Sequence, residues 1–146
     1  MNRILQKLET FKNFAFEIAA LSTCKRAKVG CIIFDLWFER VLAIGYNGPP
    51  KGEFNDSCTN EVGNCGCIHA EVNALLKCQA ENQILLTTLS PCNLCAGYIL
   101  NSKIKAVIFC TVYRHQEGIE RLRHSKVKCY HYDYVRNYDI ESWRAK

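Results

Sequence analysis

HAEVNALLKCQAENQILLTTLSPCNLC, residues His69–Cys95, is the stretch on which the reading of this chain turns. His69–Cys78 carries its apolar residues at helical spacing, and Ile84–Leu89 is a short β-rich run. Ser90-Pro91 then looks like a helix start, with Ser at the N-cap, Pro at the first helical position, and a helix to about Asn101. This helix–strand–helix order puts His69, Cys92 and Cys95 at the ends of neighbouring elements. Two residues between Cys92 and Cys95 let both sulfurs face one ion, and a helix N-terminus favours thiolate. Two thiolates and an imidazole suit zinc, and three protein donors leave a fourth position for water. Glu71 stands two residues after His69, within reach of such a water without being a ligand itself. A CxxC alone also reads as a redox pair or half of a structural zinc site. A lone histidine is usually a surface or structural residue. The three donors in this setting point instead to a catalytic metal.

Outward from this stretch, residues 3–22 place Ile4, Leu8, Phe11, Ala15, Ile18 and Ser22 on one helical face. Val29–Phe34 and Val41–Tyr46 are strand-like, and the short DLWFER between them predicts an antiparallel hairpin. A loop follows from Asn47 to about Cys67, too rich in Pro and Gly for regular structure; loops this long are usually functional. Beyond Asn101 the pattern predicts a strand at Ala106–Thr111, a helix at Glu117–His124 and a strand at Val127–Tyr132. The tail from Asp133 reads as a last helix. A helix between the last two strands predicts a crossover, hence a parallel pair. The expected class is α/β, with a five-stranded mixed sheet.

The composition is that of a globular chain: 146 residues, 49% hydrophobic, 23% charged. No run approaches the roughly 18–20 apolar residues of a membrane helix. The N-terminal stretch mixes Lys and Glu into its apolar positions, unlike a signal peptide, so a cytoplasmic protein is the default expectation. In that reducing setting the ten cysteines read as metal ligands where clustered and as small buried hydrophobes where isolated. Cys31, Cys78, Cys110 and Cys129 belong to the second kind. A net charge of +5 suits an anionic small molecule or a short nucleic-acid contact, and equally a solvated surface.

The arrangement H-x-E…P-C-x-x-C is the signature of zinc-dependent nucleobase deaminases. The chain resembles the cytidine deaminase-like superfamily, and within it the deoxycytidylate (dCMP) deaminases. The resemblance rests on Thr23-Cys24-Lys25-Arg26 before Val29-Gly30, on Gly45-Tyr46-Asn47-Gly48, on His69-Ala70-Glu71-Val72-Asn73-Ala74, and on Thr88-Leu89-Ser90-Pro91-Cys92-Asn93-Leu94-Cys95. It implies a three-layer α-β-α fold with the last two strands parallel, as one deaminase domain over residues 1–146. It implies hydrolytic deamination of dCMP to dUMP with release of ammonia, in pyrimidine deoxynucleotide metabolism. Glu71 would shuttle protons, the Ala70 N–H would hold the base carbonyl, and the Ser90 carbonyl would receive the leaving amine. Asn47 would bond the sugar. Lys25, Arg26, Lys28, Tyr113 and Arg114 are the candidates for the 5′-phosphate, with Tyr113 alternatively packing beside the base or at the core edge.

Some members of this family carry a second, structural zinc, and Cys24, Cys58 and Cys65 match its ligand positions, with Cys67 available as a fourth. The spacing Cys65-Gly66-Cys67 is tighter than the usual two to four intervening residues, which leaves open the reading that only one of the pair binds, with water or another side chain completing the shell. The resemblance also implies a homo-oligomer such as a hexamer, to which Phe11, Phe14 and Phe16 would offer interface area, and regulation by dCTP and dTTP. Alternatives stay open. Cys95-Ala96-Gly97 resembles tRNA adenosine deaminases, which with polynucleotide cytidine deaminases share the parallel last strand, although the GYNG segment argues for a nucleotide rather than a nucleic-acid substrate. Action on dCTP or a 5-substituted dCMP is a further reading. A zinc-stabilised interaction module is another, opposed by Glu71.

Overall fold

A computed structural model of the chain describes residues 2–143. Helix α1, Arg3–Ala19, is capped by Asn2, whose side chain accepts the Ile4 N–H at 2.9 Å; such a cap contributes about 1 kcal/mol. Its inward stripe of Ile4, Leu8, Ala15 and Ile18 is buried, as its periodicity predicts. Strands β1 (Gly30–Asp35) and β2 (Val41–Tyr46) form the expected hairpin. Helix α2 (Ala70–Leu75), strand β3 (Gln83–Leu89), helix α3 (Asn93–Leu100), strand β4 (Ile104–Thr111), helix α4 (Glu117–His124) and strand β5 (Lys128–His131) follow.

The sheet order is β2-β1-β3-β4-β5. β1 runs antiparallel to β2 and β3, while β3, β4 and β5 are parallel, so the mixed sheet and its parallel last pair are as expected. Both faces are covered. Ile32, Phe34, Ile84, Leu86, Ala106 and Ile108 face α1 and the C-terminal segment. The alternate residues Cys31, Ile33, Leu85, Val107 and Phe109 face α2, α3 and α4. Two buried faces explain why these strands read as continuous apolar runs. Each fully buried Ile or Leu contributes roughly 1.5–3 kcal/mol. At Gly45 the backbone of α2 comes so close that a Cβ would lie 2.2 Å from the Ala70 carbonyl oxygen. The first glycine of GYNG therefore seats the helix that carries Glu71.

Three local expectations change. α3 begins at Asn93 with Cys92 as its N-cap, not at Pro91 behind Ser90. The Ser90 N–H donates to the Thr111 carbonyl at 2.8 Å, extending the β3–β4 ladder, and its hydroxyl oxygen accepts the Tyr113 N–H at 2.6 Å. Ser90 is thus spent across the sheet. α2 stops at Leu75 rather than Cys78. The tail is a helical turn, Tyr132–Tyr134 (α5), that widens into a π turn over Val135–Asp139 and tightens into a 3₁₀ turn over Ile140–Trp143. Burying Tyr132, Val135 and Ile140 against the α1 side dictates that broken path. Residues 144–146 of the expected last helix lie outside the described residues. No helix among the described residues is long and apolar enough to cross a membrane.

Candidate metal centre and its surroundings

The carboxyl ends of the parallel strands β3 and β4 meet the start of β1 and the end of β2, because Cys31 pairs with Thr87 and Gly30 with Tyr46. In open α/β sheets this is the end where ligands gather. Here the chain leaving β3 delivers Cys92 and Cys95, while the loop returning from β2 delivers His69 at the start of α2. His69 Nδ1 lies 3.3 Å from Cys95 Sγ and 3.5 Å from Cys92 Sγ. Zinc bonds of about 2.3 Å to sulfur and 2.0–2.1 Å to nitrogen, at tetrahedral angles, imply an S···N edge of roughly 3.6 Å. The donor set and its spacing therefore fit a zinc ion with one position left over.

Crowded together, the three donors hold their protons unequally. The Cys92 thiol is pulled down to about 4, first by hydrogen bonding with the Cys95 thiol and then by His69, against the cost of burial. Cys95 is pushed up by the same partnership and by burial. The Cys92 sulfur raises His69. Glu71 is buried at 4% exposure, and that burial raises its carboxyl, partly offset by hydrogen bonding with Cys95 and the charge of His69. Thr87, wholly buried, brings its hydroxyl 3.3 Å from Glu71 Oε1 and donates to the Leu89 carbonyl at 2.8 Å. Sequence reasoning passed over Thr87; its signal was a hydroxyl at an inward position of an apolar strand. Cys31, its cross-strand partner, lies beside the same carboxylate, and its thiol is raised by burial and then by that charge.

A second cluster joins the loop after β2 to the segment between α1 and β1. Sulfurs of Cys24, Cys58, Cys65 and Cys67 all lie within 4.8 Å of one another, with Cys24 at 4.0 Å from both Cys58 and Cys65. Two sulfurs on one tetrahedral zinc are roughly 3.8 Å apart, so this donor set fits the ion too. The one-residue spacing works because Gly66 takes φ +86, a left-handed conformation that side chains disfavour. The Lys25 N–H donates to Cys58 Sγ at 3.3 Å and leads the causes that lower this thiol to about 6. Cys67 is raised, first by burial.

The remaining candidates divide. Asn47 is buried, its Oδ1 accepting the Val29 N–H at 2.8 Å and its Nδ2 donating to the Ala27 carbonyl at 2.7 Å, which leaves one amide hydrogen. Ser22, read as one more position on a helical face, donates to the Asn47 carbonyl and accepts the Cys24 N–H, linking the two loops. Lys25 reaches the Asp56 carbonyl at 3.1 Å. Arg26, Lys28 and Arg114 are exposed, and Tyr113 is half-buried with its ring edge against His115. The Ala70 N–H lies in the first turn of α2, among the donors a helix cannot satisfy itself. Of the isolated cysteines, Cys31 and Cys129 are buried in the core, while Cys78 and Cys110 pack at its edge.

The family described as the cytidine and deoxycytidylate deaminase zinc-binding region matches residues 5–111. A deoxycytidylate deaminase of Schizosaccharomyces pombe is 36% identical over 119 residues, covering 70% of this chain and 36% of that protein. The chain thus spans little more than a third of the length of this relative and of its Saccharomyces cerevisiae counterpart. A deoxycytidylate deaminase of Mycobacterium phage D29 is 34% identical, with 69% of this chain and 91% of that protein covered. Among solved structures, a dCMP deaminase from the cyanophage S-TIM5, in complex with dCMP and dUMP, superposes with a TM-score of 0.78 at 32% identity, covering 90% of this chain and 98% of that one.

Proposed function

The chain belongs to the cytidine and deoxycytidylate deaminase zinc-binding family, and from that premise we propose that it deaminates dCMP to dUMP with release of ammonia. The observation that carries this reading is a buried carboxylate, Glu71, against a three-donor cluster with room for a fourth ligand. A zinc ion held by His69, Cys92 and Cys95 would polarise a water and bring its pKa toward about 7. Glu71 would take one proton from that water as its oxygen adds to the amine-bearing ring carbon and pass it to the ring nitrogen; it would then carry the water's second proton to the exocyclic amine, which leaves as ammonia as the new C–O bond becomes the carbonyl. Its burial keeps bulk water from competing for the proton. The Ala70 N–H donates to the base carbonyl. The Ser90 carbonyl accepts from the leaving amine, its direction set by the bonds that Ser90 makes to Thr111 and Tyr113. The remaining Asn47 amide hydrogen faces a sugar hydroxyl. Lys28, Arg26 and Arg114 supply positive charge for the 5′-phosphate, with Tyr113 beside it, whereas Lys25 is directed to the loop.

In the same reading Cys24, Cys58, Cys65 and Cys67 hold a second, structural zinc, for two per chain. Residues 1–146 act as one deaminase domain in the cytoplasm. The chain works as a homo-oligomer such as a hexamer, with Phe14 and Phe16 exposed on α1 as interface area. Regulation by dCTP and dTTP belongs to the same proposal.

The test assays purified protein with dCMP, dCTP, cytidine and a short tRNA stem-loop, counting zinc in the same preparation. Conversion of dCMP with cytidine ignored supports a phosphate-reading nucleotide deaminase. Reaction of the RNA alone transfers the chain to the polynucleotide branch. Bound zinc with no turnover of any of them overturns the proposal.

A further inference from the structure

Helix α4 contributes no donor to either cysteine cluster, yet it touches the turn that carries two of them. Gly118 is buried directly beneath that turn: a Cβ on it would lie 2.1 Å from the Pro91 carbonyl oxygen and 2.7 Å from that of Cys92. Both obstacles are backbone, which cannot swing aside as a side chain does. One helical turn further along α4, Arg121 donates from Nη1 to the Asn93 carbonyl at 2.9 Å. Its guanidinium also lies over Gly97 of α3, where a Cβ would meet Nη1 at 3.1 Å. Residues three apart share a helix face, so both contacts come from one side of α4. They bracket Cys92 from Pro91 to Asn93.

We propose that Gly118 and Arg121 are positioning residues for the metal centre: together they set the pitch of the Pro91–Cys95 turn, and with it how firmly the ion is held. The inference rests on the reading that His69, Cys92 and Cys95 hold zinc. Its physical basis is the narrow tolerance of the coordination shell, about 0.2 Å in bond length. Adding a methyl at 118 forces either α4 or the turn to move by more than that. The contact also explains why glycine, the poorest helix former after proline, stands in α4.

The experiment measures zinc release into excess chromogenic chelator, well below the melting temperature. The phase due to this centre is identified as the one that Cys92→Ala abolishes. Gly118→Ala should speed that phase by about 10–100-fold, the usual consequence of disturbing groups behind metal ligands. Arg121→Met should speed it by about 3-fold, with Arg121→Lys, which keeps a donor, falling between. The loop-cluster phase should keep its rate. Release at the wild-type rate in both Gly118→Ala and Arg121→Met overturns the proposal, as does equal acceleration of both phases, which marks a general loss of stability. If Gly118→Ala does not fold, the two Arg121 variants decide alone. Wild-type protein with no Cys92-dependent zinc overturns the metal-centre reading itself, and the brace with it, before any variant is compared.

Discussion

One cluster of sulfur donors draws on the loop from Asn47 to Cys67 and the other on the helix starts beyond it, and they are built in opposite ways. The one at His69, Cys92 and Cys95 has three donors and draws them from the starts of two helices seated on the sheet. Its supports are Gly45 under α2 and Gly118 under the α3 turn, close backbone packing that uses none of the donor atoms. The other has four donors, three of them on an irregular loop with Phe54 at 84% and Val62 at 68% exposure. That loop buries little apolar surface to offset its conformational entropy, so under the two-zinc proposal a bound ion would supply much of its order. A frame that is already rigid can leave one coordination position open for chemistry. A site that exists to close a loop uses every position for protein.

The sharpest way to break this contrast is Cys92→Ala. The chain should lose one zinc and all measurable turnover while its circular dichroism keeps the α/β signature; a collapsed spectrum would show that the first cluster also holds up the fold. Next in size is Glu71→Gln, which preserves the shape of the side chain but removes its proton chemistry. Turnover should drop by about 10²–10⁴-fold, the ordinary contribution of a positioned acid/base, with zinc content unchanged. Cys58→Ala attacks the other region. One zinc should be lost, the melting temperature should fall by about 5–10 °C, as expected for a loss of a few kcal/mol in a domain of this size, and turnover should stay within about 10-fold. A larger catalytic loss would mean that the two regions are coupled, through the Ser22–Asn47–Cys24 bonds or the Gly48–Ile68 bridge beside His69. The smallest effects should come from single cations. Arg114→Ala should raise KM for dCMP several-fold at constant kcat, whereas Lys25→Ala, with its amine on the Asp56 carbonyl, should lower stability and leave KM unchanged.

Most of the framework was legible from local pattern. The hairpin, the helix at Glu117–His124 and the parallel last strands all follow from periodicity and connection length, which are properties of short segments. Ser90 was misread for an equally local reason. Ser followed by Pro is a good helix start, and only the sheet shows that its N–H and hydroxyl are already engaged by Thr111 and Tyr113. Asn47 carries a load that its GYNG segment does not show: two of its polar atoms pin the backbone of Ala27 and Val29, leaving one amide hydrogen for the expected ligand contact.

The sequence by itself determined the donor types, the spacing of Cys92 and Cys95, the carboxylate two residues after His69, and the order of helices and strands that brings those ends of the chain to one side of a sheet. Such features depend on neighbours along the chain, and periodicity and ligand chemistry read them directly. Only the tertiary structure decided which residues stand behind them. Thr87 beneath Glu71, Gly118 and Arg121 behind Cys92, and the distances at which Cys24 meets Cys58, Cys65 and Cys67, whose grouping the family resemblance already implied, are contacts between distant segments. Their geometry is set by the packing of helices on the sheet and by the path of one loop, and no local pattern encodes a distance across the fold.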